Sequence, residues 1–406
     1  MYKLSPEIVS HICSYLESHD VCQFRLVCKN YSEIGGQYIC PEIFLKMTHD
    51  DLRRLFELSR QPRLALGLRS LHYAPADLLR PDNYMKIPTM YHEKLYPEVY
   101  TCHWAEGSSK HQQEQNDIMQ THYDFMCFSN TFAKFPRLRH ITLYFGKERE
   151  RARTGKAHHA GNHHLKLLLD VITETRIKLS SLTLHNVHWR SADGKDGVKL
   201  QTAFGLVTSL ERLELTINNA YADSSELDPV KEYLSFQNYM HKGVLQKSLP
   251  LLTNVRVLKI SFSQASPPGD TRTMLLDQII PLNHIWTHLT SLELSHITCE
   301  RQELTKFLMR HKSTLRELSL WDVSLKNTSW VPLLAGIRKE LYLTVPCVYG
   351  LLMGRSEDDD KRFHFWNLGL GTGDMYRLVN GYIERGGETY PNMTACPLTE
   401  ENATYG

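Results

Sequence analysis

One spacing of apolar residues recurs along this 406-residue chain and limits what it can fold into. In each copy, two residues separate the first apolar position from the second, and one separates the second from the third. Side chains alternate between the two faces of a strand, so the last two apolar residues of each copy predict a short strand buried on one side. The copies are Leu138/Ile141/Leu143, Leu179/Leu182/Leu184, Leu210/Leu213/Leu215, Val255/Leu258/Ile260, Leu289/Leu292/Leu294 and Leu315/Leu318/Leu320, with a weaker last copy at Leu341/Leu343 and a possible early one at Leu68/Leu71/Tyr73.

Stretches with helical spacing separate these copies. Their apolar residues fall at i, i+3, i+4 and i+7, as on a half-buried helix. One strand and one helix bury little, whereas stacked copies share a continuous core, which is typical of a leucine-rich solenoid. We therefore predict a mixed α/β fold, a right-handed solenoid with a curved parallel sheet, made irregular by the uneven intervals between copies. The stripes are Leu165/Leu168/Leu169/Ile172, Leu275/Leu276/Ile279/Ile280, Leu304/Phe307/Leu308 and the segment 230–249.

Residues 1–40 predict a group of helices instead of a repeat. Ser5 can cap a first helix, and Pro6 suits the first turn, where its missing N–H costs nothing. Asp20 can cap a second helix. So short a module cannot bury all its apolar surface alone, so part of that surface must face the rest of the chain or a partner. The apolar stripe of the first helix is Ile8, Ile12, Tyr15 and Leu16.

This N-terminal segment resembles the F-box, a family of short helical modules. The residues that carry the resemblance are, in order, Leu4-Ser5-Pro6-Glu7-Ile8, Ile12, Tyr15-Leu16, Asp20-Val21 and Leu26-Val27-Cys28-Lys29. Tyr31 departs from the family, which usually has tryptophan or phenylalanine there. The resemblance implies a three-helix module that docks onto the adaptor subunit of an SCF-type ubiquitin ligase. The docking residues it implies are Leu4, Pro6, Ile8, Ile12, Leu16, Leu26 and Val27.

The resemblance also implies a function. F-box proteins are typically non-catalytic substrate receptors, in which the adaptor links the box to a cullin and a downstream domain, often of leucine-rich repeats, holds a protein substrate. The layout is similar to that of the divergent F-box proteins of filamentous fungi. Two alternatives stay open: an ordinary helical cap on the solenoid, and a scaffold or regulatory protein that binds a partner without delivering it to ubiquitin. A hydrolase is disfavoured, because no pair of nucleophile and base can be named.

The repeats depart at one position from regular leucine-rich repeats, which carry Asn or Cys three residues after the last strand leucine. Val187, Ile297 and Val323 occupy that position here. The side-chain ladder that the polar residue normally supports would then be absent, so we do not expect regular curvature.

The strand residues that alternate with the core leucines form the candidate surface for a substrate. They mix charged, hydroxyl and aromatic side chains, which suits protein recognition, although an ordinary solvated face would look the same. Trp321 is the best single candidate, because tryptophan is enriched among binding hot spots. The selected residues are Tyr144, His185, Arg212, Glu214, Lys259, Glu293, Trp321 and Tyr342.

Composition excludes several other classes of protein. The formal net charge is only +2, so the chain lacks the excess of lysine and arginine that nucleic-acid binding requires. No apolar run is long enough to span a membrane, and the N-terminus does not resemble a secretory signal. The nine cysteines include no pair spaced for zinc or redox chemistry. We therefore expect a cytoplasmic or nuclear protein that binds neither nucleic acid nor membrane and uses no cofactor.

Two further sequence features concern metals. His158, His159, His163 and His164 lie close together, but no glutamate stands between them as in zinc proteases, and Gly161 opposes a helix there. The run Asp358–Asp360 lacks the alternation and the glycine of a calcium loop. We expect no metal site.

The predicted layout has four parts. Residues 1–40 form the F-box-like module, 41–137 a helical or irregular linker with a possible first repeat, 138–370 the degenerate solenoid, and 371–406 a C-terminal helix and tail. The prolines of 74–131 argue against long regular elements, and the polar runs 107–117 and 147–164 predict exposed loops.

Overall fold

A computed structural model of the chain shows two compact units. The first comprises Met1–Gly146 with His163–Leu179, and the second comprises Lys147–Asn162 with Ser180–Gly406. The predicted boundaries after residues 40, 137 and 370 stay predictions. The structure describes residues 4–74, 108–144, 158–188, 195–218, 229–263, 274–326, 328–355, 363–369, 373–399 and 404–405.

The first unit begins with three helices and continues with alternating strands and helices. In chain order these are α1 (Pro6–Tyr15), α2 (Ser18–Phe24), α3 (Lys29–Gly35), β1 (Glu42–Lys46), α4 (His49–Ser59), α5 (Pro62–Ala65), β2 (Ser70–Ala74), α6 (Ser108–Thr121), α7 (Tyr123–Phe132), β3 (His140–Tyr144) and α8 (His158–Thr175), of which the part from His163 belongs to this unit. The strands pair in parallel in the order β1–β2–β3. Parallel neighbours need a crossover connection, which α4 and α5 supply between β1 and β2.

The second unit continues this alternation. Its elements are β4 (Ser181–His188), α9 (Lys195–Leu206), β5 (Arg212–Asn218), α10 (Pro229–His241), α11 (Val244–Ser248), β6 (Val257–Ser263), β7 (Met274–Leu275), α12 (Leu276–Ile279), β8 (Ser291–Ser295), β9 (Ile297–Glu300), α13 (Arg301–Arg310), β10 (Glu317–Trp321), β11 (Ser324–Lys326), α14 (Trp330–Glu340), β12 (Val345–Arg355), β13 (Phe363–Leu368), α15 (Gly373–Ile383) and β14 (Thr404–Tyr405). The strands β4, β5, β6, β8, β10 and β12 pair in that order, all in parallel. The predicted mixed α/β fold with a parallel sheet is confirmed.

Matched leucines form two buried rows across this parallel sheet. Leu213 is paired with Leu258 and that residue with Leu292, in unbroken register. All the side chains of the two rows are at most 6% exposed, as the alternation of strand residues requires. The first row is Leu182, Leu213, Leu258, Leu292 and Leu318, and the second is Leu184, Leu215, Ile260, Leu294 and Leu320.

The backbone turns sharply just after β8 and β10 and inside β4 and β12. Asn186, His296, Asp322 and Gly350, each two residues beyond the last inward apolar side chain, have φ values of 59°, 57°, 48° and 82°. This left-handed conformation interrupts the strand before a second one starts. The chain then enters β9, β11 or the distal half of β12, which pair in parallel with one another.

The residue after this turn occupies the position at which regular leucine-rich repeats carry Asn or Cys. Val187, Ile297 and Val323 are at most 4% exposed, so each is a core residue. Backbone hydrogen bonds between neighbouring turns, such as Asp322 N–H to Tyr349 O at 3.1 Å, supply contacts between copies. A side-chain ladder is therefore not needed to join one copy to the next.

The apolar faces of the helices are buried largely as their spacing predicts. Leu304, Phe307 and Leu308 of α13 are fully buried, and the stripe of α8 is at most 4% exposed. The stripe at 275–280 is different, since Leu275 lies in β7 and the helix spans only four residues. Among the described residues, no helix has the length and apolarity to span a bilayer.

The weak last copy was assigned in the wrong register. Leu318 pairs with Pro346 and Leu320 with Val348, so Leu343 matches Leu315, the residue that precedes a strand. Leu341 follows the last residue of α14. The apolar spacing gave the wrong residues because Pro346 replaces the leucine expected at the inward position of β12. An earlier strand, β1, was also missed within the predicted linker.

Two predicted loops contain helix instead. Residues 108–117 belong to α6, which buries Gln115 and Ile118 three positions apart. Lysine, glutamine and glutamate favour helix as much as loop, so polarity alone misled the prediction. Helix α8 begins at His158 and includes Gly161. The cost of about 1 kcal/mol for an internal glycine is offset by the buried apolar stripe further along the helix.

The last strand of the parallel sheet is covered by a side chain instead of another parallel strand. Asn380 of α15 accepts a hydrogen bond from Val348 N at 2.7 Å and donates one to Val348 O at 3.1 Å. Its amide thus satisfies the two backbone groups that a neighbouring strand would bind, as exposed sheet edges require. The distal half of β12 pairs instead with the antiparallel strand β13.

The glycine at the turn within β12 provides a test of this architecture. A methyl group at Gly350 would overlap the Asp322 carboxylate and would need a strained positive φ. Gly350→Ala should therefore destabilise the second unit by more than about 1 kcal/mol. Gly336 lies within α14 with nothing near its added methyl group, so Gly336→Ala should stabilise by up to about 1 kcal/mol. Urea unfolding of both variants checks the opposite signs, and equal effects would contradict this account of the turn.

A buried histidine predicts a pH dependence. His311 is 1% exposed. Its Nε2 accepts a hydrogen bond from the backbone N–H of Trp286 at 3.1 Å, while Nδ1 lies 2.9 Å from Phe307 O, so the neutral ring fits both partners. Burial lowers the pKa of His311 below its ordinary value of 6.5, although the Phe307 carbonyl opposes that change. Protonation of His311 would add an N–H at Nε2. Two donors, this N–H and the backbone N–H of Trp286, would then face each other.

The unfolded chain then binds more protons than the folded chain as the pH falls below 6.5. The stability that the neutral ring contributes is therefore complete above that pH and decreases below it. The free energy of unfolding should fall between pH 7.5 and about 5.5, and it should fall less in His311→Phe. Urea titrations check this difference, with His241→Gln as the control. An identical pH dependence in wild type and His311→Phe would refute the assignment.

Candidate protein-interaction surfaces

A row of charged side chains crosses the face of the second unit's sheet opposite the leucine rows. Glu214, Lys259 and Glu293 stand side by side on β5, β6 and β8. Lys259 Nζ lies 3.7 Å from a Glu214 oxygen and 3.4 Å from a Glu293 oxygen. Arg212 Nε donates to Glu214 at 2.6 Å. The sequence-predicted residues Arg212, Glu214, Lys259 and Glu293 are thus one connected group.

The charged row is partly shielded from water. The side chains of Glu214, Lys259 and Glu293 are only 14–20% exposed. Burial raises the pKa of Glu293, and the Lys259 ammonium beside it opposes that change. Because the charges are already paired, covering them with a partner costs less than burying isolated charges. The row can therefore give a partner polar specificity.

Trp321 lies on the same face but is largely used for packing. It is 8% exposed, and its ring centroid is 4.8 Å from that of Tyr349. Tyr349 in turn meets Tyr376 of α15 at 5.9 Å. Little of the Trp321 side chain is therefore accessible to a partner. The expectation that Trp321 leads partner binding stays a prediction.

The other three residues of the candidate surface occupy different positions in the fold. His185 is on β4 and half-buried. Tyr342 is 49% exposed but precedes β12, so it is not a strand residue as the misassigned last copy implied. Tyr144 ends β3 and belongs to the first unit.

Helix α1 has two apolar faces offset by one residue. Val9 and Cys13 are at most 1% exposed and form the module's core with Val21 of α2. Ile8 and Tyr15 lie on the other face, 50% and 77% exposed. Ser5 accepts a long hydrogen bond, 3.5 Å, from Ile8 N, and Pro6 begins the helix as expected. The predicted stripe therefore combined residues from the exposed and the buried side.

The second and third helices are held together by packing and by one arginine. The rings of Phe24 and Tyr31 stack at 4.7 Å, so Tyr31, at the family's aromatic position, packs against the module's core. Arg25 Nε donates to Ser32 O at 3.0 Å. A methyl group at Gly35 would lie 2.6 Å from Arg25 Cγ, which explains the small residue there.

Most of the implied docking residues lie on the surface of this module. Leu26 and Val27, just after α2, are 79% and 65% exposed, and Leu4 is 37% exposed. Pro6 and Ile8 are exposed as well, while Ile12 is half-buried. Leu16 packs against the core formed by Val9, Cys13 and Val21 instead. So much exposed apolar surface on a short module suits a surface that a partner covers.

Comparison with known families agrees with this geometry. Residues 1–34 match the family model of the F-box domain. The chain therefore carries an F-box domain at its N-terminus. A comparison with curated proteins finds no match. F-box domains bind the adaptor subunit of SCF-type ubiquitin ligases, which indicates a general role in substrate recognition, and proteins that carry them are typically non-catalytic.

One residue of the F-box surface was missed in the implied docking set. Tyr15 is the second most exposed large hydrophobic residue described, after Leu26. The sequence could have indicated Tyr15, because it follows Ile8 by seven residues and therefore shares its helix face. His11 packs edge-on against the Tyr15 ring at 4.9 Å, which limits its rotation.

The histidine cluster at the start of α8 has a packing role where its side chains are described. His163 Nε2 lies 2.7 Å from an oxygen of Asp124, a fully buried residue that also accepts from the Tyr73 hydroxyl at 3.2 Å. Side chains of His158 and His159 lie outside the described residues. Within the described part of the chain, no three His, Cys, Asp or Glu side chains are grouped to hold a metal.

The two faces of α1 predict different consequences of truncation. Val9→Ala removes buried contacts and should destabilise the F-box by roughly 1–3 kcal/mol, whereas Ile8→Ala, on the surface, should change stability by less than about 0.5 kcal/mol. Hydrogen exchange of peptides covering α1 checks this, because 1.4 kcal/mol corresponds to about tenfold in protection. Equal loss of protection in both variants would mean that Ile8 belongs to the core.

Proposed function

We propose that this F-box protein is the substrate receptor of an SCF-type ubiquitin ligase. The F-box would dock onto the adaptor subunit, which links it to a cullin, and the second unit would hold a protein substrate. The protein contributes proximity instead of chemistry, by keeping the substrate near a ubiquitin-charged partner. It would act in the cytoplasm or the nucleus.

The observation that carries the proposal is the apolar surface that the F-box leaves uncovered. Ile8, Leu26 and Val27 are each at least half exposed in a module matched to the F-box family. Burying a large aliphatic side chain contributes roughly 1.5–3 kcal/mol. Three such residues, with Leu4 and Pro6 beside them, suffice for a stable complex. These residues are the proposed contact surface for the adaptor.

For the second unit we propose a degenerate, right-handed leucine-rich-repeat solenoid that binds the substrate on its sheet face. Support comes from the two leucine rows, which repeat across five parallel strands. The charged row of Arg212, Glu214, Lys259 and Glu293 gives this face its specificity, with His185, Trp321 and Tyr342 as further candidate contacts. Tyr144 is a candidate contact in the first unit.

A scaffold that binds the adaptor and a partner without delivering ubiquitin is the second candidate. It shares the F-box surface and differs only in whether the bound partner is then ubiquitylated. Reconstitution with the adaptor, the cullin and a co-purified partner separates the two functions, because a substrate receptor increases ubiquitylation of that partner. A stable assembly with unchanged ubiquitylation would favour the scaffold.

The F-box surface makes the proposal testable by mutation. Truncating a buried aliphatic side chain costs about 2–5 kcal/mol in a well-packed site. Pro6→Ala combined with Ile8→Ala should therefore weaken capture of the purified adaptor by about two orders of magnitude. Binding is measured by biolayer interferometry with the full chain.

A matched control is available in the second unit. Leu234 of α10 is 50% exposed, the same as Ile8, so Leu234→Ala removes a comparable surface side chain outside the F-box. This variant should capture the adaptor normally. Undiminished capture by the double variant would refute the docking surface, and no capture by the unmodified chain would refute the F-box role itself.

A further inference from the structure

Three aromatic rings lie together on the sheet face of the first unit. Phe44 of β1 and His72 of β2 are paired in register, and Tyr144 ends β3. The ring centroids are 6.0 Å apart for Phe44 and His72, 5.9 Å for Phe44 and Tyr144, and 6.2 Å for His72 and Tyr144. All three residues are half-buried.

The three ring centroids form a nearly equilateral triangle, and this cluster of rings is called the floor. A linear stack would separate its outer rings by about twice the distance between neighbours, whereas here the three separations are nearly equal. The interplanar angles are 11°, 34° and 25°, so the rings are close to parallel. A cage around a compact cation would need walls at steep angles to its base. Ring faces at such shallow angles to one another suit a planar ligand group.

A carboxylate stands beside the floor. Glu42 lies two residues before Phe44 on the same strand face, and its side chain is 37% exposed. His72 Nε2 contacts Glu42 Oε1, and this hydrogen bond lowers the pKa of Glu42, so the carboxylate stays charged at neutral pH. Lys46 lies two residues beyond Phe44, at the opposite end. The side of the floor next to Glu42 is therefore the one suited to a cation.

We infer that the floor of Phe44, His72 and Tyr144, with Glu42 beside it, binds an arginine side chain of a protein partner. A guanidinium is planar and stacks on parallel aromatic faces, and its forked donors match a carboxylate. A lysine ammonium is compact and strongly hydrated, so it stacks less well on the faces of these rings. The inference rests on the proposed function, since the arginine would belong to a substrate.

The test uses the full chain and a displayed library of random heptapeptides. Arginine should be enriched at one fixed position among the selected peptides, and the enrichment should vanish with Phe44→Leu, which keeps an apolar side chain, and with Glu42→Gln. A selected peptide is then synthesised with arginine, lysine or citrulline at that position. Citrulline keeps the planar shape but removes the charge, so it should bind about tenfold more weakly.

Asp50→Asn is the matched control, because it removes one carboxylate of the first unit from helix α4, where the side chain is 80% exposed. It should leave peptide selection unchanged. No arginine enrichment, or enrichment that survives both floor variants, would overturn the inference. Adaptor capture is measured in parallel and separates the two ideas: normal capture without arginine enrichment refutes only the aromatic site, while absent capture by the unmodified chain refutes the F-box function.

Discussion

The second unit depends on burying two aliphatic side chains from each strand of its parallel sheet against those of the neighbouring strands. Leu213, Leu258 and Leu292 are buried in the core, and each is at most 1% exposed. A single strand of this kind has no partner for its inward face, so no copy is stable without the next. The pairing also fixes the register, because a shift of one residue would turn every leucine toward solvent. The helices, turns and outward charges are all positioned by these rows.

The last parallel strand of this stack is closed by contacts other than another parallel strand. At β12, the Asn380 amide replaces a neighbouring strand at Val348, and β13 covers the distal half. The F-box helices pack around a small core of their own, formed by Val9, Cys13 and Val21. Their second apolar face is left uncovered, which is the physical difference between a helix that completes a fold and one that presents a surface.

Errors of sequence interpretation occurred where local pattern and distant packing disagree. Pro346 takes an inward strand position that the pattern reserved for leucine, so the last copy was assigned to the wrong residues. The polar run in α6 forms a helix because Gln115 and Ile118 find a buried place, which polarity does not reveal. On α1, Ile8 and Val9 are equally apolar and adjacent. Only contact with α2 and α3 decides that Val9 is buried and Ile8 is exposed.

The sequence by itself determined the parts that depend on near neighbours: the strands, through the period-two alternation of their leucines, most helices, and the F-box through its ordered motif. Tertiary structure alone decided what depends on residues distant in the chain. The pairing of Lys259 with Glu214 and Glu293, and the meeting of Phe44, His72 and Tyr144, require particular strands to become neighbours. No local spacing encodes that adjacency, because it arises only when separate copies bury their inward faces together.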